Sequence, residues 1–183
     1  LGGASARTEP PGCGAPQEAL ESGPLPGTAA ALGRGELRVM VVGSASTQMG
    51  GTSGPAATWP ERLRAVLGAR VAPANVRLEV FGGRGTVAAD HARLLAEAGP
   101  AFRPHLIIWQ LGTVEAARGL PADEMSDTVQ EAVGRLRAAR GERTDVVLMD
   151  SQFSRFFRAN ADVESYRDRL RLAAAASGAQ MFS

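Results

Sequence analysis

The chain has 183 residues, a net charge of +1, 44% apolar content and 20 basic residues, all of them arginine. The length suits one domain with a sizeable core, and the near-neutral charge implies neither a nucleic-acid binder nor a polyacidic tail. Without lysine there is no Schiff base, phosphate-loop Lys or Lys general base; with Cys13 the only cysteine, there is no intrachain disulfide and no Cys-based zinc cluster.

The chain opens on Leu1 rather than Met and has no run long enough to span a membrane. The expectation is a mature chain whose leader has been removed, or an expressed portion of a longer one. Residues 1–36 are rich in Gly, Pro, Ala and Ser, as in Glu9-Pro-Pro-Gly12 and Gly23-Pro-Leu-Pro-Gly27. They read as an extended arm, in which only Gln17–Leu20 and Thr28–Leu32 suit a turn or two of helix. The arm suits a partner lying along it.

A domain follows over residues 37–183. Leu37–Val42 is a continuous apolar run ended by Gly43, the pattern of a buried parallel strand. A polar, Gly-rich loop spans Ser44–Thr58. Thr58-Trp-Pro-Glu61 has the form of a capping box and predicts a helix with Leu63, Val66 and Leu67 on one face. After Pro73 comes a second strand, Val76–Phe81, then Gly82-Gly-Arg-Gly85 and a second helix over Val87–Ala98. Pro100 and Pro104 bracket a loop. His105–Leu111 is a third strand, and Asp123 opens a helix with Met125, Val129, Val133 and Leu136 at helical spacing. Thr144–Met149 is a fourth strand, Asp162–Ala176 a fourth helix, and Gln180–Phe182 the start of a fifth strand. Strictly alternating strands and helices predict an α/β fold, a three-layer α/β/α sandwich on a parallel sheet. A final strand-to-helix unit is expected beyond Ser183.

Ligands of such sheets bind past the carboxyl ends of the strands. The loops there are Gly43–Thr47, Gly82–Thr86 and Gly112–Glu115. Phosphate loops do not fit them. The glycine spacing from Gly43 to Gly50 lacks the required Lys, and Gly83-Arg-Gly85 lacks the third glycine of a dinucleotide loop.

An ester-hydrolase site fits better. Val42-Gly-Ser-Ala-Ser-Thr47, Phe81-Gly-Gly-Arg-Gly85 and Trp109-Gln-Leu-Gly-Thr-Val-Glu115 follow the first three strands in order. In this the chain resembles the SGNH/GDSL hydrolase family, whose blocks read Gly-Asp-Ser, Gly, and Gly-x-Asn-Asp. It looks most like an exported, proteobacterial subgroup with Gly-Ser-Ser-Ser-Thr first and Trp-Gln-x-Gly-Thr-Asn third. Pro104-His-Leu-Ile-Ile-Trp-Gln-Leu-Gly-Thr113, Asp145-Val-Val-Leu-Met-Asp-Ser-Gln-Phe153 and the leader Cys13-Gly-Ala-Pro16 carry that likeness, over about Cys13–Phe182. The resemblance implies a flavodoxin-like strand order 2-1-3-4-5, a periplasmic or otherwise exported location, and no cofactor or metal.

Such a site needs a Ser nucleophile, a His base, an orienting carboxylate and oxyanion donors. Carried over residue by residue, the family's nucleophile falls on Ala45, between Ser44 and Ser46. Its oxyanion glycine falls on Gly83, with Gly85 the next choice, and its oxyanion Asn falls on Val114. The Asp-x-x-His pair would lie beyond Ser183. His91, on the second helix, and His105, at the far end of the third strand, read as structural. Gly43, Gly85, Gly112, Thr113 and Trp109 are expected to line the binding cleft, Trp109 (like Trp59) as a core or wall aromatic. Ser44 or Ser46 could replace the lost Ser only with a base beside it.

Ala45 has two readings, an engineered knock-out or a natural loss, and Val114 favours the second. Ser151-Gln-Phe-Ser-Arg-Phe-Phe157 puts aromatics and Arg155 near the site mouth, as loop packing or a partner patch. Arg135, Arg137, Arg140 and Arg143 read as a solvated helix face. The functional expectation is a catalytically inactive SGNH-fold protein. It would serve as a binding or structural subunit of an extracytoplasmic complex, with a protein partner along the arm and a small acyl or acetylated-sugar ligand. The alternative is a serine ester hydrolase or acyltransferase represented by a mutated or truncated chain.

Overall fold

The computed structural model describes residues 23–48, 53–140, 144–151, 155, 159 and 161–183. In chain order these form α1 (Pro26–Gly33), β1 (Glu36–Gly43), α2 (Ala45–Gln48), a 3-10 turn (Pro55–Ala57), α3 (Trp59–Arg70), β2 (Asn75–Gly82), α4 (Ala88–Phe102) and β3 (Leu106–Gln110). There follow α5 (Thr113–Arg118), α6 (Ala122–Arg140), β4 (Asp145–Met149), α7 (Val163–Ser177) and β5 (Gln180–Phe182).

The strands form one parallel sheet in the order β2-β1-β3-β4-β5. This is the flavodoxin-like order that the resemblance implies. Side chains alternate between the two faces of a strand, and β1 uses both. Leu37, Val39 and Val41 join Leu78, Leu106 and Ile108, under Ala31 and Leu32 of α1 and Trp59, Leu63 and Leu67 of α3. Met40 and Val42 join Ile107, Trp109, Val146 and Leu148, under Leu95, Phe102, Val129, Val133 and Leu170 of α4, α6 and α7. Burial on both faces is why β1 and β3 read as unbroken apolar runs.

Several expectations need correction. The arm assigned to residues 1–36 is not extended throughout: the helical turn expected over Thr28–Leu32 forms and is longer. Pro26–Gly33 is helical, Ala31 is fully buried, and the Thr28 N–H donates to Asp145 Oδ2 at 2.7 Å. Residues 1–22, with Cys13 and Gln17–Leu20, lie outside the described residues.

The capping box at Thr58 is not formed. The Thr58 hydroxyl donates backwards to the Pro55 carbonyl at 2.9 Å, and Glu61 pairs with Arg64 at 3.2 Å. Val66 is 56% exposed. The stripe of α3 packed on the core is the partly buried Trp59, Leu63 and Leu67, spaced by four residues, and Val66 falls beside it.

Helix α4 passes Ala98 and runs through Pro100 to Phe102. Pro100 has no N–H to give to the preceding turn, but Leu95, Gly99 and Phe102 form a buried stripe that holds the last turn in place. The chain then leaves through Arg103 at φ 52. The loops after β1 and β3 contain short helices, α2 and α5, which sequence reasoning did not anticipate.

Candidate active site

Register brings the expected loops together. Gly43 pairs with Gly82 and Val42 with Trp109, so the turns after β1, β2 and β3 leave one sheet edge side by side. Ser44 is nearly buried, and its carbonyl accepts both the N–H and the hydroxyl of Thr47, at 3.2 and 2.6 Å. That wraps the chain into α2, with Ala45 as its first residue. The Ser46 hydroxyl donates to Gln110 Oε1 at 2.9 Å. Gln48 Nε2 donates to the Gly82 carbonyl at 2.6 Å, tying the loop to β2.

Gly43 and Gly82 are required by close approach. Gly82 has φ 110, and a Cβ there would run into the Gly43 carbonyl oxygen. A Cβ on Gly43 would collide with the Thr47 side chain.

The Gly83 N–H, expected to serve an oxyanion, is directed at Thr86 Oγ1 at 3.3 Å. The Thr86 hydroxyl in turn donates to the Gly83 carbonyl at 2.7 Å. Gly85 has φ 80, with the Arg118 guanidinium against it. Val114 is half-buried at the start of α5 and offers no donor side chain. Gly112 and Thr113 sit where β3 gives way to α5, and the Thr113 hydroxyl oxygen is buried without a partner among the described residues.

Trp109, expected to line the cleft, is fully buried in the core. Its indole N–H donates to His91 Nδ1 at 3.1 Å. An indole N–H can only donate, so Nδ1 accepts and the ring proton sits on Nε2. From there it reaches Thr86 Oγ1 at 2.8 Å. His91 is 1% exposed. Burial pushes its pKa down to about 4, against smaller opposing effects of Asp90 and the Gly43 backbone. It is therefore a neutral, fully bonded strut beneath the Gly83 loop, consistent with the structural reading. His105 lies at the opposite edge, where its N–H donates to the Arg38 carbonyl at 2.9 Å ahead of β3.

Sequence reasoning missed Glu115. Its carboxylate is 4% exposed and accepts the Ala88 N–H at 2.7 Å and the Gly112 N–H at 3.1 Å. It thus binds the start of α4 to the start of α5. The signal was present: a carboxylate stands three residues after Gly112, at the N3 position of a helix start. Tyr166 of α7 donates to the carbonyls of Leu120 and, at 3.4 Å, Glu115. Its hydroxyl pKa is raised by burial first, then by the charges of Glu115 and Asp162.

At the end of β4, Asp150 Oδ2 accepts from Arg167 Nε and from the Ser183 hydroxyl, both at 2.7 Å. Among the described residues no group of three or more His, Cys, Asp or Glu could hold a metal ion. No described helix is long and apolar enough to cross a membrane. Residues 49–52, which carry the end of the Gly43–Gly50 spacing, lie outside the described residues, as do 152–154 and 156–158 of the aromatic segment.

The model of the non-GDSL lipase-like family matches residues 12–183. The chain belongs to that family. No curated protein matches it. Solved structures similar to this non-GDSL lipase-like chain include TesA, at 18% identity and TM-score 0.66 over 79% of this chain and 76% of that one. AlinE4, an SGNH-hydrolase family esterase, gives 19% identity and TM-score 0.63 over 80% and 76%. A catalytic mutant of Axe2, an acetylxylan esterase from Geobacillus stearothermophilus, gives 16% and 0.64 over 79% and 74%. At such identities the likeness is one of fold: this member of the family has the SGNH-hydrolase-like esterase fold.

Proposed function

We propose that this chain is a non-catalytic member of the non-GDSL lipase-like family, acting as a binding or structural subunit outside the cytoplasm. The observation that carries the reading is Ala45 at the nucleophile position of an otherwise well-built loop. A methyl group cannot attack an acyl carbon. The oxyanion position Val114 and the inward-turned Gly83 N–H support the same reading. Losing a single oxyanion donor costs about 10²–10³ in rate, and without the nucleophile the covalent route does not exist.

The ligand class that suits such a cleft is a small acyl ester or an acetylated sugar, bound without turnover. A protein partner along the N-terminal arm, residues 1–36, completes the proposed complex. The subgroup likeness, with its exported members, supports a periplasmic or comparable location.

A second reading is an ester hydrolase or acyltransferase whose active chain carries Ser at position 45. The neighbours named as esterases favour it. Hydrolysis of p-nitrophenyl acetate separates the two. The proposal expects no turnover above the buffer rate from this chain. Saturable turnover that disappears in Ser44→Ala or Ser46→Ala would overturn it. Saturable binding of an acetylated sugar, abolished by Gly83→Trp, would identify the retained cleft.

A further inference from the structure

Strand β3 is apolar until its last residue. Leu106, Ile107, Ile108 and Trp109 are followed by Gln110, which is 6% exposed. Leu106 and Ile108 pack under α1 and α3, and Ile107 and Trp109 under α4, α6 and α7. Alternation puts Gln110 on the α1–α3 face, level with Met149 of β4. On its other side is the end of β1: a Cβ on Gly43 would come within 3.3 Å of the Gln110 Cβ. A long amide thus sits against the glycine that opens the Ala45 loop.

The two ends of that amide are used differently. Oε1 accepts the Ser46 hydroxyl at 2.9 Å, which ties the tip of β3 to α2. Nε2 carries two N–H groups and donates to none of the described residues. Two other glutamines spend theirs inside the protein: Gln48 Nε2 on the Gly82 carbonyl and Gln130 Nε2 on Ser126 Oγ, at 2.6 and 3.2 Å. Nor is the Gln110 nitrogen sealed in. The buried side-chain atoms left without a partner among the described residues are Thr28 Oγ1, Trp59 Nε1 and Thr113 Oγ1. Gln110 Nε2 is not one of them, so it reaches the surface.

A side chain more than nine-tenths buried therefore presents an open donor at the sheet edge where the loops of the candidate site meet. Packing alone does not call for it, because an apolar residue of the same length would fill the strand end and leave no donor to satisfy.

We propose that the Gln110 amide nitrogen holds the carbonyl oxygen of an acyl or acetyl ligand, supplying a side-chain donor at an edge where Val114 offers none. An N–H pair matches an acceptor that has no proton of its own. Ser46 fixes the amide from its other end, so the donor is oriented before the ligand arrives. The inference rests on the reading of this edge as a cleft that binds such a ligand without turnover.

NMR titration of the isotope-labelled full chain with xylose tetraacetate tests this. Permethylated xylose, which lacks a carbonyl, is the comparison. The Gln110 NH₂ pair is identified by its loss in Gln110→Met. That pair is expected to shift saturably with the tetraacetate, in step with the backbone signals of Gly43, Ala45 and Gly83, and the permethylated sugar is expected to bind more weakly. Gln110→Met and Gln110→Glu are expected to weaken tetraacetate binding about three- to tenfold and to abolish the preference over the permethylated sugar. Gln130→Met, which removes a glutamine bonded to a serine on α6, changes neither. Glu keeps an acceptor for Ser46 and removes only the donor; Met, which buries no charge, reports even if the Glu variant fails to fold. Tetraacetate binding with a stationary Gln110 pair, or with the preference unchanged in Gln110→Met, overturns this inference and leaves the proposed cleft standing. No saturable shift at the Ala45 edge overturns both.

Discussion

Trp109 and His91 are joined by a hydrogen bond of 3.1 Å from the indole N–H to Nδ1. The bond sets the imidazole tautomer, which sets the direction of every later bond out to the Gly83 loop: His91 Nε2 to Thr86, and Thr86 to the Gly83 carbonyl. A core aromatic on β3 thereby positions a loop at the candidate site.

This arrangement makes stability depend on pH. The folded-state pKa of His91 is lowered to about 4 from 6.5. The unfolded chain therefore binds the extra proton first, and stability falls as pH drops from about 6.5 towards 4. Above pH 6.5 the contribution is fully present. The loss has an upper bound of about 3 kcal/mol. Urea unfolding between pH 4.5 and 7 checks it, with His91→Leu expected to flatten the slope. An unchanged slope in that variant would assign the pH dependence to other groups.

Glu115 secures two helix starts at once. Glu115→Ala leaves the buried N–H groups of Ala88 and Gly112 without partners, and each orphaned donor costs about 1–3 kcal/mol. Glu115→Gln keeps one acceptor oxygen but turns an NH₂ towards the other donor. The expected order of stability is wild type, then Gln, then Ala, measured by urea denaturation. Equal stability of all three would show that the carboxylate has no capping role.

Two glycines should respond in opposite directions. Gly82→Ala places a methyl group on the Gly43 carbonyl at φ 110, so a loss of several kcal/mol or failure to fold is expected. Gly134 lies within α6, and a Cβ there meets nothing within 4 Å. Gly134→Ala should therefore stabilise by about 0.5–1 kcal/mol. Thermal melts of the two variants suffice; a neutral Gly82→Ala would contradict the close approach of Gly82 to the Gly43 carbonyl at the paired ends of β1 and β2.

The layer order was legible because β1 and β3 are apolar on both faces and each helix carries a buried stripe. The strand ends placed the three loops, and the resemblance to the family's blocks singled out Ala45, Gly83 and Val114 within them. What escaped depends on contacts that no local pattern encodes. Thr58 found the Pro55 carbonyl before the helix N–H groups. Pro100 was tolerated because Phe102 is buried beyond it. Arg103 was not readable as the helix exit, because the helix was expected to stop at Ala98. Glu115 stood only as the last residue of the Gly112–Glu115 loop and is a buried double cap.

The most direct test of the central claim is exposure of the chain to a fluorophosphonate serine probe, read by intact mass. Ser44 is nearly buried and Ser46 is held by Gln110, and Ala45 stands at the position proposed for the nucleophile. The account predicts no adduct at neutral pH. A single stoichiometric adduct on Ser44 or Ser46 would contradict it, since it would require an activated serine and a base beside it.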